Sequence, residues 1–249
     1  MRAKSTPQRL DALVVARGLA ESLPKAQAMI LAGEVSVEGA RADKAGTRFP
    51  QEARIEVTSR SGKYVSRGGL KLEGALQDFA INPAGRICLD IGSSSGGFAD
   101  CLLQQGAVRV YAVDVNVDQL AWKLHQDPRV ICISRNARSL RAADIPEPAD
   151  LISIDVSFIS VRKILPPAAA AAKPGGDLLI LIKPQFELPR RDIGAGGIVS
   201  DTALHKKAIT AVQEAAAKLA LEILDVRPSH LPGAEGNQEY FLHARKPLR

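Results

Sequence analysis

Asp90-Ile-Gly-Ser-Ser-Ser-Gly-Gly-Phe98 joins two segments of different periodicity. Before it, Arg86-Ile-Cys-Leu-Asp-Ile91 is a short apolar run that reads as a buried strand. After it, Phe98-Ala-Asp-Cys-Leu-Leu103 begins a helical apolar pattern. A Gly-rich turn between strand and helix lets the backbone approach a ligand where a side chain would collide. The next apolar run, Val108-Arg-Val-Tyr-Ala-Val113, ends on Asp114. An acid about 20 residues past the first glycine can bind both ribose hydroxyls of a nucleotide. The spacing is Gly-x-x-x-Gly-Gly, which fits poorly with a pyrophosphate on the helix N-terminus and better with S-adenosylmethionine. The bland alternative is an ordinary tight turn in an α/β sheet. Agreement of turn, strand, helix and acid favours the nucleotide-type site.

Outward from this turn the chain alternates. The patterns predict a helix over 118–125, strands over 129–133 and 151–154, a helix over 160–172 and a strand over 177–182. A long helix over 202–219 and two β segments, 222–226 and 239–243, follow. Such alternation implies an α/β fold: a mostly parallel, Rossmann-like sheet covered on both faces, with ligands at the carboxyl ends of its strands. The closing β segments suit an antiparallel hairpin. Residues 185–200 contain glycine and show no clear period, so they read as a mobile lid or as disorder.

The first sixty residues read as a separate, small α+β unit. Residues 9–17 form a short amphipathic helix ended near Gly18, and Ser22 caps a second helix over 24–32 that Gly33 stops. Val35-Ser-Val37 and Ile55-Glu-Val57 alternate as short strands, with Gly39 in the turn between them. Lys4, Arg9, Arg17, Lys25, Arg41 and Lys44 make the unit basic. The expected division is 1–60, a linker at 61–70, and a second domain over 71–249.

Lys+Arg 33 against Asp+Glu 27 gives a formal net charge of +6, a mild balance that permits a polyanionic partner without demanding one. Cys88, Cys101 and Cys132 show neither Cys-x-x-Cys nor metal-ligand spacing, so we expect reduced thiols and no metal. No apolar run approaches the length of a membrane span and no charged-then-apolar signal opens the chain. The expectation is a soluble, cytoplasmic protein, acting as a monomer and away from membranes.

Four polar residues fall where such a sheet places its chemistry. Asp155 follows strand 151–154, Lys183 follows strand 177–182, Glu239 opens the last strand, and Lys71 lies at the start of a helix after Arg67-Gly-Gly-Leu. A lysine at a strand end is ordinarily just solvated. Here Ile180-Leu-Ile-Lys-Pro184 ends an apolar strand on a charge where the crevice opens, and Pro184 stops further pairing. Methyl transfer from a sulfonium is an in-line displacement, so geometry carries most of the rate. A hydroxyl acceptor must also lose its proton, which a neutral lysine amine can take. Two other acceptors fit less well. An amino-nitrogen methylase ordinarily carries Pro-Pro-aromatic where this chain has Asp155-Val-Ser-Phe158, and a C5-cytosine methylase needs a cysteine in that region.

Tyr64-Val-Ser-Arg-Gly-Gly-Leu-Lys-Leu72, Leu89 to Phe98, Asp155-Val-Ser-Phe-Ile-Ser160, Ile182-Lys-Pro-Gln-Phe-Glu187 and Gly236-Asn-Gln-Glu-Tyr-Phe241 together resemble the TlyA family over nearly the whole chain. The resemblance implies a class I, FtsJ-like methyltransferase domain behind an RNA-binding domain of the S4 type. It implies a Lys71, Asp155, Lys183, Glu239 tetrad acting on cytidine 2′-hydroxyls of small- and large-subunit ribosomal RNA. It further implies S-adenosylmethionine contacts at Asp90, Gly92, Ser94, Gly96, Gly97, Phe98, Asp114, Val115, Asn136, Ala137 and Asp155. RNA contacts are expected at Arg9, Arg17, Lys25 and Arg67. The chain departs from the family pattern at Ser22-Leu23, where an arginine is usual and Lys25 can substitute. It also lacks a Gly within Val115-Asn-Val-Asp-Gln119 and a Glu within Ile133 to Arg138. Three other readings compete: a catalytically idle RNA-binding protein, a membrane-active haemolysin, and a nicotinamide dehydrogenase. The intact tetrad, the absence of a spanning segment and the glycine spacing argue against each in turn.

Overall fold

The computed structural model describes residues 7–17, 19–20, 22–31, 33–57, 63–233 and 236–248. Two compact units divide between Gly62 and Lys63. The expected stop at Gly18 and Lys4 lie outside the described residues.

The N-terminal unit runs β1 (Gln8–Arg9), α1 (Leu10–Ala16), α2 (Leu23–Leu31), β2 (Val35–Val37), β3 (Ala40–Arg41), β4 (Arg48–Phe49) and β5 (Ile55–Val57). β2 pairs antiparallel with both β3 and β5, and β1 pairs with β4. Leu10, Leu13 and Val14 recur at helical spacing and meet Ile30, Val35 and Ile55 in one core. Ser22 Oγ accepts from the Lys25 amide at 3.4 Å, which starts α2 as the sequence predicts. Gly33 ends it with φ 70°, a conformation glycine adopts without strain.

The C-terminal unit is a seven-stranded sheet. Its strands are β6 (Ile87–Ile91), β7 (Arg109–Asp114), β8 (Val130–Ser134), β9 (Ala149–Ile154), β10 (Ala172–Ile182), β11 (Glu222–Pro228) and β12 (Tyr240–Arg245). Their order is β11-β12-β10-β9-β6-β7-β8. Neighbours from β10 through β8 pair parallel, while β12 pairs antiparallel with β10 and with β11. The last strand therefore inserts between β10 and its own hairpin partner. The helices are α3 (Arg67–Asp78), α4 (Gly97–Gln104), α5 (Trp122–His125), α6 (Leu165–Ala171), α7 (Pro184–Glu187) and α8 (Thr202–Ala217). Because successive strand residues face opposite ways, Leu89, Ile91, Ile152 and Ile180 enter one core with α6 and α8. Cys88, Leu151, Leu179 and Leu181 enter the other with α3 and α4. Strand order reverses between β6 and β9, so their carboxyl ends open a crevice.

Several boundaries differ from the sequence reading. The linker expected over 61–70 is structured from Lys63 onward: Tyr64 is 2% exposed in the second unit's core and α3 starts at Arg67. The helix expected over 118–125 is a 3-10 turn (Val117–Gln119) followed by α5, with Leu120 extended and buried between them. That break lets the Leu120 and Leu124 side chains close over Gly96, where even a Cβ would sit 2.2 Å from Leu124. The helix expected over 160–172 is likewise split, with α6 beginning on Leu165-Pro-Pro. Glu239 precedes the last strand instead of opening it. Residues 185–200 are ordered: α7 and two 3-10 turns fill them, and Leu188 and Val199 pack on Ala208 of α8.

Candidate functional site

The crevice carries the Gly-rich turn. Gly92 has φ 87°, and a Cβ there would lie 2.1 Å from the Asp155 carbonyl oxygen, so only glycine lets the two strand ends come this close. A Cβ on Gly97 would meet Ser66 Oγ at 2.1 Å and the Gly69 nitrogen at 3.0 Å. The N-termini of α3 and α4 thus abut. Both carry the positive ends of their helix dipoles.

Beneath the turn, Asp90 is fully buried and accepts from Ser153 Oγ at 2.9 Å. Burial pushes its carboxyl up to about 7, against the Ser153 hydrogen bond and with help from the Asp155 charge. Its Oδ2 meets no side-chain donor among the described residues. Asp114, at the end of β7, accepts from the Ser94 amide at 2.9 Å and the Asn116 amide at 3.1 Å.

Two carboxylate–lysine pairs face each other across the crevice. Lys183 Nζ lies 2.5 Å from Asp155 Oδ1, and donates to Ser157 Oγ at 2.9 Å. Lys71 Nζ donates to Glu239 Oε2 at 2.5 Å. The lysine side chains are each 11% exposed, Asp155 24% and Glu239 3%. Packing around these groups is close. Gly69 lies where a Cβ would be 2.4 Å from the Tyr64 ring, seating the start of α3. His230 Nε2 pairs with Asp78 at 2.9 Å, holding the segment before Glu239 against the end of α3. Gly233 leaves room for Glu239 Oε1, which a Cβ would approach to 2.6 Å.

Three cavities meet at these four residues. One of about 280 Å³ is lined by Ser66, Arg67, Lys71, Gly97, Phe98 and Glu239, among others. A second, of about 650 Å³, shares Gly92, Ser94 and Asp155 with it and extends past Asp114, Val115, Asn136 and Ala137. The third, of about 510 Å³, shares Lys183 and Glu239 and is walled by Phe158, Gln185, Phe186, Arg190 and Gly194. The structure thus brings all four tetrad positions together, with most of the expected cofactor positions beside them. Asp90 and Gly96 line neither of the first two cavities; they shape the turn from below.

The expected RNA contacts scatter. Arg9 forks onto Asp11 at 2.6 Å and 3.0 Å, and that hydrogen bond holds the Asp11 carboxyl at about 2. Arg17 donates to the Gln51 carbonyl, and Lys25 is exposed. Arg67 sits in the second unit on the smallest of the three cavities.

Some site groups escaped the sequence reading. Phe158 is 92% exposed with φ 63°, a strained conformation for an aromatic residue, and its ring lies 5.4 Å from that of Phe186. Ser157 and Glu187 are the others. A short polar–aromatic run such as Asp155-Val-Ser-Phe158 carries no periodic signal that separates an outward ring from an inward one. Among the described residues no cluster of three or more His, Cys, Asp or Glu could hold a metal ion.

The FtsJ-like methyltransferase family model matches residues 64–246, and the S4 domain model matches residues 8–55. The chain is 44% identical over 239 residues to the 16S/23S rRNA (cytidine-2′-O)-methyltransferase TlyA of Mycobacterium tuberculosis, covering 95% of this chain and 89% of that one. It is 41% identical to Hemolysin A of Brachyspira hyodysenteriae, covering 94% and 98%. A solved structure described as "Putative hemolysin from Streptococcus thermophilus" superposes with a TM-score of 0.76 at 39% identity, covering 97% and 89%. The glycine cradle, the Asp114 carboxylate and the joined cavities fit S-adenosylmethionine, the methyl donor expected of an FtsJ-like methyltransferase. The chain belongs to the TlyA family of S-adenosylmethionine-dependent methyltransferases, with an FtsJ-like catalytic domain behind an S4 domain.

Proposed function

We propose that this protein methylates the 2′-hydroxyl of cytidine in ribosomal RNA, working as a monomer in the cytoplasm. The observation that carries the reading is the pair of lysine–carboxylate contacts on one crevice, Lys183–Asp155 and Lys71–Glu239, beside the cofactor cradle. The activity named for the Mycobacterium tuberculosis relative supports the same acceptor.

Bound S-adenosylmethionine supplies an electrophilic methyl group on a sulfonium. Asp114 would accept from its ribose hydroxyls, with Val115, Asn136 and Ala137 beside the adenine. Gly92, Ser94, Gly97 and Phe98 would line its path, and Arg67 with the abutting α3 and α4 N-termini would take the methionyl carboxylate. Asp155 and Ser157 hold the Lys183 amine at the boundary of the cofactor and acceptor cavities. From there Lys183 orients the acceptor hydroxyl and, when neutral, takes its proton, which general-base chemistry values at roughly 10²–10⁴ in rate. Glu239 fixes the Lys71 amine on the opposite wall. Fixing the attacking oxygen in line is where most of the rate arises.

The Phe158–Phe186 pair and Arg190 wall the acceptor cavity, a combination suited to a nucleobase and its phosphate. The S4 domain, with Arg17 and Lys25 exposed, would dock the RNA, a role that counterion release makes steeply salt-dependent. The decisive experiment incubates full-length protein with labelled S-adenosylmethionine and ribosomal subunits from cells lacking the gene, then identifies the product nucleoside by mass spectrometry. We expect 2′-O-methylcytidine. Label on a base, on another nucleoside, or nowhere overturns the reading.

A further inference from the structure

Lys183 and Asp155 sit on different loops, and one buried carboxylate ties those loops together. Glu187 closes α7, four residues after the strand end that carries Lys183, and its side chain is 1% exposed. Its Oε1 accepts from the Val161 amide at 2.6 Å. Its Oε2 accepts from Ser160 Oγ at 2.5 Å and from Arg162 Nε at 3.0 Å. Arg162 Nη2 also donates to the Glu187 carbonyl at 3.3 Å. A buried carboxylate with this many donors is satisfied in one geometry only, and any other leaves donors unpaired in a dry site.

Phe158 and Ser157 lie between Asp155 and this clamp on one loop, and Phe186 lies between Lys183 and the clamp on the other. The same contacts therefore join the loop that carries Asp155 and Phe158 to the one that carries Lys183 and Phe186. Glu187 itself lines neither of the two cavities that hold Lys183.

We infer that Glu187 is a positioning residue: by clamping Ser160, Val161 and Arg162 it holds the Lys183 amine against Asp155 at the acceptor cavity. The inference rests on the reading of Lys183 and Asp155 as the reaction centre.

The test uses full-length Glu187→Gln, Arg162→Met and the double variant. In Glu187→Gln the amide oxygen still accepts from Val161, while the amide nitrogen opposes the Arg162 N–H. Arg162→Met removes that opposing donor and leaves Ser160 Oγ to accept. We expect Glu187→Gln to lower the single-turnover methylation rate at saturating RNA by about tenfold or more. Affinity for S-adenosylhomocysteine should stay within about threefold, and the double variant should recover to within about threefold of Arg162→Met alone. The Lys183 13Cε resonance, assigned by its loss in Lys183→Arg, should move in Glu187→Gln and return in the double variant. A Glu187→Gln rate close to wild type, a rate loss the double variant leaves unrescued, or an unmoved Lys183 resonance overturns the inference. If Glu187→Gln fails to fold, Ser160→Ala/Arg162→Met removes two donors from the other side of the clamp and must show the same rate loss and resonance shift. A wild-type enzyme that leaves ribosomal RNA unmethylated overturns the substrate reading alone, because the resonance still reports on Lys183.

Discussion

The two ends of the parallel sheet both bury carboxylates among cations, and they do so differently. Where β10 begins its unbroken pairing with β9 and β12, Asp177 takes hydrogen bonds from His243 at 2.9 Å, Arg86 at 2.8 Å, and Arg245 at 2.8 Å and 2.9 Å. Burial alone would raise its carboxyl, but these three donors together hold it far below the usual carboxylate range. In the crevice at the carboxyl end, Lys71 and Lys183 each meet one carboxylate among the described residues. A guanidinium fork locks a carboxylate by geometry, whereas an ammonium is a point charge on a flexible stem. One end is saturated and structural. The other keeps capacity for an incoming group.

Removing a charged side chain from each end should break different things. Lys183→Ala should cost roughly 10²–10⁴ in single-turnover methylation while leaving cofactor affinity within a few-fold. A near-normal rate with preformed enzyme–RNA complex would remove Lys183 from the chemistry. Asp177→Ala should leave the activity of folded protein intact but cost about 1–3 kcal/mol of stability, because the buried His243 and two partly exposed arginines lose their shared acceptor. Chemical denaturation measures this, and a stability change no larger than that of an exposed ion pair would contradict the account.

Asp114→Ala acts at the cofactor cavity. It removes an acceptor at the end of β7, and calorimetry should show S-adenosylmethionine binding weakened by about 1.5–3 kcal/mol. Unchanged affinity with lowered stability would make Asp114 merely the acceptor that holds the Ser94 and Asn116 amides.

A last contrast sets two aspartates against each other by sign. Asp90 titrates at about 7 when folded, so the folded state binds the proton more tightly than the unfolded chain. Its contribution is full below the ordinary carboxylate value of ~4 and is lost as pH rises through about 7. Asp177 runs the other way: its contribution is present above ~4 and disappears only in acid. Asp90→Asn should therefore melt close to wild type at pH 4 and above it at pH 8, in protein free of cofactor. A melting difference independent of pH would show that the Asp90 carboxyl does not change its protonation between pH 4 and pH 8.

Much of this molecule is legible along the chain. The apolar runs ending on Ile91, Asp114, Ile154 and Ile182 mark buried parallel strands, because both faces of such strands are covered. The Gly92 to Gly97 turn marks a close backbone approach, and Asp155 and Lys183 stand where strand ends must open. Breaks inside helices were less legible. Leu120 fits a helical pattern, yet it leaves the helix to cover Gly96. Residues 185–200 look unstructured because their order comes from distant partners: Glu187 with Ser160, and Asn237 with Val199 and Gly197 at 2.9 Å each.

By itself, then, the sequence determined the alternation of strands and helices and the Gly-rich turn, since these follow from local periodicity and residue type, while the Lys71, Asp155, Lys183, Glu239 tetrad came from the family resemblance. Only the tertiary structure decided which amine meets which carboxylate. Lys71 and Glu239 lie 168 residues apart and meet because α3 packs beside the segment entering β12. It also decided that Phe158 faces outward, and that Glu187 clamps two loops instead of lying free. Pairings of this kind depend on where separate strands end in space, and no periodicity within one segment encodes the end of another.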